Sequence, residues 1–393
     1  MTATQTRPTT ILSQELIEQC GARAATYDRE NRFFDEDFAA IRAAGYLNIA
    51  VPEEFGGRGA SVAEYAREVQ RLAERAPATA LALNMHVYWT GVAADLRRMG
   101  DSSLEWMLRE SAAGEVFAAG HGEAGNDLPL FLSTAKAERV DGGYRFTGHK
   151  MFGSMTPVWT RLGFHAMDAN DPSGPTIIHA FVPRGTAGVS IRETWDTLGM
   201  RATRSDDTIF ENAFVPDRYI VRKLPAGTPD AFVLTIFAWA EVGFSSVYLG
   251  IARRALELAV NTAKKRTSLA VSRTMSYHPE IQHTIAEMAM EIEAMEAHLD
   301  RIAADWSAGV DHGMNWPLKL VTVKHHVTEG AKRVVDGAMA VSGGTGMFKS
   351  NELERLYRDV RCGGFHPANS FLVHEIVGKT ALGIDLGEQP RWG

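Results

Sequence analysis

The spacing of apolar residues changes twice along this chain, and this change restricts the fold more than any other feature. Residues from about 12 to 114 and from 230 to about 386 follow a helical period. Between these blocks, short β-branched or aromatic runs are separated by Gly, Asp and Pro, which is typical of strands and turns. The sequence therefore predicts three domains: α-helical over 1–114, β over 115–225 and a helical bundle over 226–393.

Two local patterns illustrate the contrast between the blocks. In the middle block, Asp141-Gly142-Gly143 separates two strand-like runs and predicts a hairpin turn. In the last block, apolar residues recur at alternating spacings of four and three, which predicts one buried stripe on a bundle helix. The residues of this stripe are Ile281, Ile285, Met288, Ile292, Met295, Leu299 and Ile302.

Composition limits the partners and the compartment of the protein. The 393 residues include 41 basic and 48 acidic side chains, a net charge of -7, without the basic excess expected of a nucleic-acid binder. The two cysteines, Cys20 and Cys362, are too few for a disulfide framework, which favours a reducing cytoplasm. The Thr-rich N-terminus, Met1 to Ile11, lacks the hydrophobic centre of a secretory signal and predicts a frayed tail.

The apolar segment from Ala231 to Ala252 is long enough to cross a membrane. It contains Glu241, however, and an isolated charge inside lipid is costly. Gly243 and two serines lower its hydropathy further. We therefore expect a buried central helix and no membrane partner.

Common nucleotide and metal motifs are missing from the sequence. Gly343-Gly344-Thr345-Gly346 follows no strong strand pattern and does not complete a dinucleotide-binding fingerprint. His325 and His326 with Glu329 have helical spacing but do not form a His-Glu-x-x-His motif. The sequence therefore predicts no metal site.

Eight segments carry a more specific signal because they occur in a characteristic order. They are Val51–Gly57, Glu123–Asp127, Gly142–Phe152, Leu198–Arg201, Phe210–Pro216, Leu249–Leu256, Gly343–Gly346 and Glu354–Asp359. Together they resemble the acyl-CoA dehydrogenase superfamily over nearly the whole length. The resemblance implies an α+β multidomain fold: an N-terminal all-α domain, a central β-barrel and a C-terminal four-helix bundle. It also implies FAD at their junction and a homotetramer.

The resemblance assigns residues to the flavin. Phe152 stands where the family has a Trp that covers the isoalloxazine ring, and Ser154 matches a hydroxyl residue near flavin N5. Asn126 lies in the loop that approaches the flavin and the substrate. Arg266 matches an Arg that reaches the pyrophosphate of a flavin held mainly by the neighbouring subunit. Gly343 and Gly344 match a Gly pair at the adenine end, although both residues also suit the end of a helix.

The position of the catalytic base departs from the family pattern. Dehydrogenation needs a carboxylate that removes the substrate's α-proton while hydride leaves the β-carbon. The Glu that commonly does this falls here on Pro367, which cannot act as a base. Some members place the Glu on the first helix of the C-terminal domain. This chain has Glu241 there, one residue beyond that position and about 100° around the helix, where most members carry Arg. Glu241 is either this base or part of a satisfied buried pair, with Arg201 or His366 as partner.

His366 suggests a second branch of the superfamily. Flavin-dependent monooxygenases that act on sulfur heterocycles and aromatic compounds lack the Glu and often have a His in this region. An imidazole can exchange protons near neutral pH, although a buried histidine can equally serve a structural role. The segment Tyr277–Gln282 favours the same branch because it replaces the dehydrogenases' usual Phe-Gly run.

The leading hypothesis is therefore α,β-dehydrogenation of an acyl thioester such as acyl-CoA, with Glu241 as base and hydride transfer to flavin N5. Electrons would leave to an electron-transfer flavoprotein. The alternative is a two-component monooxygenase that uses oxygen and flavin, FAD or exchangeable FMN, reduced by a separate flavin reductase. In that case His366 and Asn126 would handle protons. A third hypothesis is a degenerate scaffold that binds an acyl thioester or a partner without turnover.

Overall fold

The computed structural model describes residues 10–385 and residue 388, so most of the predicted N-terminal tail lies outside the described residues. The expected order of a helical domain, a β domain and a helical bundle is confirmed. The helices are α1 Gln14–Glu30, α2 Asp35–Ala43, α3 Val62–Ala73, α4 Pro77–Arg98, α5 Glu105–Ala112, α6 Ala231–Lys265, α7 Pro279–Ser307, α8 Trp316–Ser342, α9 Glu352–Arg361 and α10 Ser370–Leu382. The strands are β1 Phe117–Gly120, β2 Lys136–Val140, β3 Gly143–Lys150, β4 Arg161–Asp168, β5 Thr176–Pro183, β6 Val189–Arg192, β7 Asp207–Pro216 and β8 Ile220–Pro225.

The central domain is a single sheet with the order β6-β7-β3-β2-β4-β5-β8, and β1 pairs in parallel with β4. The predicted hairpin is present, with Val140 opposite Gly143. The barrel expectation needs a correction, because β6 and β8 do not pair with each other among the described strands. The sheet therefore stays open, and β1 and β4 bring the loop after Gly120 next to α4.

Helix α6 is the central element of the fold and packs against α3, α4, α7 and α8. It is the one described helix that is long and apolar enough to cross a membrane, and 94% of its most apolar window is buried inside the protein. The indole nitrogens of Trp239 on α6 and Trp306 on α7 both donate to Asp95 of α4, at 2.8 and 2.7 Å. The apolar surface of α6 is therefore covered by neighbouring helices.

The close approach of α4 and α6 depends on glycine. A Cβ on Gly91 would lie 2.3 Å from the Trp239 ring, and one on Gly243 would lie 2.1 Å from the side-chain oxygen of Asn84. Side chains at these positions would force the helices apart, with a cost typical of overpacking. Helices α4 and α6 therefore pack closely together, and α4 also contacts β1 of the β domain.

The predicted stripe on α7 is buried for most of its length. Met288, Ile292, Met295, Leu299 and Ile302 are buried, and Ile281 and Ile285 are half-buried against the core. Helix α7 packs against α3, α6 and α8, and α10 packs against α8. The methionines serve as packing residues, as helical spacing predicts.

Candidate active site

Two facing loops of the β domain present the side chains predicted to meet a flavin. Phe152 and Met155 lie in one loop and Met200 and Arg204 in the other, and all four have φ between 43° and 66°. Non-glycine residues rarely adopt this left-handed conformation, and such outliers cluster at functional sites. Backbone hydrogen bonds fix the two loops together, including Met155 N–H to Thr203 O at 3.0 Å.

Phe152 and Ser154 differ in exposure. The Phe152 ring is 57% exposed and contacts Trp195 edge-on, with ring centroids 6.1 Å apart. The Ser154 hydroxyl is buried, 2.7 Å from Ser205 Oγ, which is 2.7 Å from Thr203 Oγ1. The loop pair therefore combines an open aromatic face with an adjacent row of hydroxyl groups.

Gly122 supports the backbone beneath Phe152. A Cβ at this position would lie 2.8 Å from the Phe152 ring and 2.9 Å from the carbonyl oxygen of Met151. The Met151 N–H donates to the Gly122 carbonyl at 2.8 Å, which ties the two segments together. These small residues, the exposed ring and the nearby hydroxyls fit a planar ring system with polar edges, as a flavin has.

Asn126 lies in the predicted loop, but its side chain is used within that loop. Its amide donates to Glu123 and to the Leu132 carbonyl, both at 2.8 Å. Glu123 in turn forms an ion pair with Lys150 at 2.5 Å, and both side chains are almost fully buried. The structure thus places Asn126 in a position that shapes the loop, and its predicted role in proton transfer stays a prediction.

Glu241 is enclosed on α6, and only 2% of the residue is exposed. One carboxylate oxygen accepts from the Ala368 N–H at 3.1 Å, and the other has no hydrogen-bond partner among the described residues. Burial raises the pKa of Glu241 to about 8, although the nearby Lys324 ammonium opposes the rise. The expected partners were wrong: Arg201 donates to Asp28 of α1 and to Asp196 and Thr197 of its own β domain.

Lys324 on α8 is the charged neighbour that sequence reasoning missed. Its ammonium donates to the carbonyl oxygens of His366 and Ala368, at 2.9 and 2.8 Å. Burial lowers the pKa of Lys324 to about 8, although the nearby Glu241 carboxylate partly opposes this effect. Lys324 lies among the buried, mostly apolar residues of α8. A charged residue is rarely buried without a partner, so its charge at this position is the one sequence signal of a role in the site.

His366 lies beside Glu241 but does not bond to it. Its ring stacks on Phe244, with centroids 4.6 Å apart and planes at 4°. Its Nε2 is 2.8 Å from the Tyr248 hydroxyl, and burial together with Lys324 lowers its pKa to about 3. Either atom of this contact can be the donor, because a tyrosine hydroxyl both donates and accepts. The bond holds the neutral imidazole in one tautomer, with a single N–H.

Arg266, Gly343 and Gly344 are brought together at the opposite end of α6. The Arg266 guanidinium donates to Val341 O at 3.2 Å and lies 2.9 Å from where a Cβ on Gly343 would be. Gly343 has φ of 61°, and Gly344 has open space around it. From Glu241 to Arg266 the helix rises by ~37 Å. The predicted contact with the adenine end of a neighbouring subunit's flavin stays a prediction.

The histidines considered as metal ligands are engaged with other rings. His326 Nδ1 is 3.1 Å from His298 Nδ1, and the His325 ring meets His374 edge-on. The part of the chain that the structure describes contains no group of three His, Cys, Asp or Glu residues placed to hold a metal ion.

Comparison with known families gives matches at both ends of the chain. Residues 12–104 match the family model for the acyl-CoA dehydrogenase N-terminal domain. Residues 242–371 match the model for the acyl-CoA dehydrogenase C-terminal domain.

Individual relatives carry different names. The chain is 30% identical to amino sugar nitrososynthase DnmZ of Streptomyces peucetius, covering 95% of this chain and 92% of the relative. It is 28% identical to putative acyl-CoA dehydrogenase YdbM of Bacillus subtilis, over 91% and 92% of the two chains. It is 27% identical to dibenzothiophene monooxygenase of Rhodococcus erythropolis, over 94% and 92%. The solved structure of KijD3 with FMN and a dTDP-linked amino keto sugar has a TM-score of 0.84 at 25% identity, covering 94% and 92%.

Proposed function

Because this chain belongs to the acyl-CoA dehydrogenase superfamily and is a flavin-dependent oxidoreductase by descent, we propose that it acts as a monooxygenase on a small molecule. The proposal reverses the order of the two enzyme hypotheses drawn from the sequence. It is supported by the relatives named for nitroso synthesis and for monooxygenation. The residues around Glu241 and His366 carry the argument.

The single observation that carries the proposal is the enclosure of Glu241. The carboxylate is buried, bonded to the backbone at Ala368 and close to the Lys324 charge. Pro367 occupies the other position from which the family supplies a base. A general base must reach the proton that it removes. Neither position offers an accessible carboxylate to an acyl thioester, which argues against α-proton abstraction.

The β-domain loops are the proposed flavin-binding side of the site. Reduced flavin, when bound, supplies two electrons to dioxygen, so that one oxygen atom enters the substrate and the other leaves as water. Phe152 would cover the ring, and the Ser154 hydroxyl would meet its polar edge. Comparison of the affinities for FAD and FMN would show which flavin the protein uses. A flavin reductase is the proposed electron donor.

The pair Tyr248 and His366 is the proposed proton-handling group. Stacking on Phe244 and the bond from Tyr248 hold the imidazole in one orientation. Its low pKa keeps the ring neutral near pH 7, so it offers an N–H donor rather than a positive charge. A donor of this kind stabilises an oxygen atom that gains negative charge during oxygen transfer.

The test supplies chemically reduced FMN or FAD and ¹⁸O₂ to the purified protein. Two substrate probes are tried separately: dibenzothiophene, which contains a thioether sulfur, and a dTDP-linked amino sugar. We expect one ¹⁸O atom in a product of one of the two probes, measured by mass spectrometry. His366→Ala should lower that rate about 10²-fold or more, whereas His374→Ala, at an exposed histidine of α10, should leave it unchanged. Product without ¹⁸O, or equal rates in both variants, would contradict the proposal.

Dehydrogenation remains the second candidate because one oxygen of Glu241 has no hydrogen-bond partner among the described residues. A carboxylate with one free oxygen and a raised pKa is suited to take a proton if a substrate reaches it. Anaerobic butyryl-CoA or octanoyl-CoA should then bleach the flavin, and Glu241→Gln should abolish bleaching while His366→Ala retains it. The monooxygenase proposal predicts that the flavin stays oxidised with both acyl thioesters.

Flavin titration tests the remaining alternative, the degenerate scaffold. Micromolar or tighter binding of reduced or oxidised flavin supports either enzyme, and its absence supports a scaffold that binds an acyl thioester or a partner. Sedimentation of the same samples tests the proposed homotetramer. We further propose that the domains end at residues 114 and 225 and that the protein is cytoplasmic.

A further inference from the structure

The segment His366-Pro367-Ala368 is held in place by side chains from two helices. The Lys324 ammonium of α8 donates to the carbonyl oxygens of His366 and Ala368, at 2.9 and 2.8 Å. The Ala368 N–H donates to the Glu241 carboxylate of α6 at 3.1 Å. We name Glu241 and Lys324 the backbone clamp, because together they hold the main chain before and after Pro367.

No regular secondary structure holds this segment. It lies between the short 3₁₀ turn Cys362–Phe365 and helix α10. In the described part of the chain, none of its residues takes part in a backbone–backbone hydrogen bond. Pro367 also has no N–H to donate. The backbone clamp therefore supplies the main-chain hydrogen bonds that fix the segment relative to α6 and α8.

The position of the His366 ring depends on where this main chain lies. The ring stacks on Phe244 with centroids 4.6 Å apart, and its Nε2 is 2.8 Å from the Tyr248 hydroxyl. Phe244 and Tyr248 both belong to α6 and lie about one turn apart. The ring can make both contacts only if residue 366 is held at one height beside that helix, which is what the clamp does.

Stability alone does not explain two charged residues at this place. Burial raises the pKa of Glu241 and lowers the pKa of Lys324, each to about 8, and the charge of each group opposes the shift of the other. Apolar residues of similar volume are often at least as stabilising as two buried charges. The bonds that Glu241 and Lys324 make to the segment give the costly arrangement a purpose.

The clamp does not depend on which of its two residues carries the proton. If the proton moves from Lys324 to Glu241, the neutral amine keeps two N–H groups for the two carbonyl oxygens. The protonated carboxyl keeps an oxygen that accepts from Ala368. Neither side chain has to reach a ligand, since Glu241 is 2% exposed and Lys324 is 1% exposed.

From these contacts we propose that Lys324 and Glu241 are positioning residues that act on the reaction through His366. The clamp sets the main chain, and Phe244 and Tyr248 set the ring, so the imidazole N–H has one orientation. The inference rests on the proposed function in taking His366 as the proton-handling group. It gives Glu241 a role without contact to the substrate, unlike the base of a dehydrogenase.

Crystal structures of the flavin-loaded protein test the geometry without turnover. In Lys324→Met the His366 ring should leave Phe244, and its Nε2 should lie more than about 3.5 Å from the Tyr248 hydroxyl, beyond hydrogen-bond distance. Lys319→Met is the control, because it replaces a half-buried lysine of the same helix outside the clamp, and both contacts should stay. Both contacts unchanged in Lys324→Met would overturn the proposal.

Glu241→Gln and Glu241→Leu form a second pair, which decides the question if Lys324→Met does not fold. Gln keeps an oxygen that accepts from the Ala368 N–H, whereas Leu has no acceptor. Only Glu241→Leu should therefore displace the His366 ring. The same ring position in both variants would refute the role of Glu241, and so would bleaching by acyl-CoA that Glu241→Gln abolishes.

Kinetics test whether the clamp acts through His366. In the ¹⁸O assay, Lys324→Met should lower kcat about tenfold or more and change the KM of the probe less than about twofold, since the clamp does not touch the ligand. In a His366→Ala background, the same substitution should lower kcat less than about twofold further, because effects that pass through one group are not additive. An equal loss in both backgrounds would show a general structural effect and contradict the proposal.

The two readouts separate this inference from the proposed function. Displacement of the His366 ring in Lys324→Met, in a protein that inserts no ¹⁸O, would contradict the monooxygenase reaction and leave the clamp supported. Oxygen insertion with an unmoved ring in Lys324→Met would do the opposite.

Discussion

Replacing Glu241 by Gln tests the physical state of the buried carboxyl group. In the folded protein its pKa is raised from 4.5 to about 8, chiefly by burial. Between these two values the folded chain keeps a proton that the unfolded chain releases. The stability contribution is therefore complete below pH 4.5 and is lost as the pH rises toward about 8. Glu241→Gln has no such proton, so its free energy of unfolding should depend less on pH.

The size of this effect follows from the pKa difference. One pKa unit corresponds to about 1.4 kcal/mol, which gives an upper bound of about 4–5 kcal/mol for the full shift. The pKa of about 8 already includes the opposing Lys324 ammonium, and the interval from pH 5 to pH 8 covers about three pH units. We therefore expect the wild-type protein to lose about 2–4 kcal/mol relative to Glu241→Gln between about pH 5 and about pH 8.

The assay is urea unfolding of both proteins at several pH values within that range, at constant ionic strength and saturating flavin. The matched control is Glu329→Gln on α8. Burial raises the pKa of the Glu329 carboxyl, but the hydrogen bond and charge of Lys332 outweigh burial, so its pKa is lowered. This control should change the pH dependence slightly and in the opposite sense. Parallel wild-type and Glu241→Gln curves would show that Glu241 is ionised throughout and refute the reasoning.

Two further substitutions test the two sides of the site. Gly122→Ala should cost about 1–3 kcal/mol in urea unfolding and weaken flavin binding in fluorescence titration, because its Cβ meets Met151 and Phe152 within 3 Å. Gly378→Ala is the control, because a Cβ at this position meets nothing within 4 Å. Equal flavin affinities of the two variants would contradict flavin binding beside Gly122 and Phe152. Tyr248→Phe should lower turnover at least about tenfold and move the pH profile, since His366 loses the bond that fixes its tautomer. An unchanged profile would exclude this positioning role.

Much of the architecture could be predicted because it depends on local patterns. The stripe on α7 and the turn at Asp141-Gly142-Gly143 are encoded within a few residues. Strands β1 and β4 were not predicted, because Phe117–Gly120 and most of Arg161–Asp168 are buried on both faces and lack alternation. The closure of the sheet depends on edge pairing between distant strands, which no local pattern reports.

The candidate site divides in the same way. Phe152, Ser154, Glu241 and His366 were found from motif positions, but what each side chain bonds to was not predictable from those positions. Lys324 of α8 and Glu241 of α6 both bond to the backbone of Ala368, and neither Arg201 nor His366 is the partner of Glu241. The contacts of His121 with Tyr88 and His165 were missed entirely, because these residues come from α4, the end of β1 and β4. Only the register of a parallel strand pair brings them together.

The two left-handed loops and the buried helical groups belong to different structural layers. Phe152 and Ser154 are held by the sheet, whereas Tyr88, Glu241 and Tyr248 are carried by the docked pair α4 and α6. Gly91 and Gly243 permit that docking, so a methyl group at either position would move α4 and α6 apart without touching any reactive group. Substitutions at the contact between these helices can therefore shift the buried groups that α4 and α6 carry relative to the loops of the sheet, which gives evolution a means of adjusting the site without replacing any of its polar side chains.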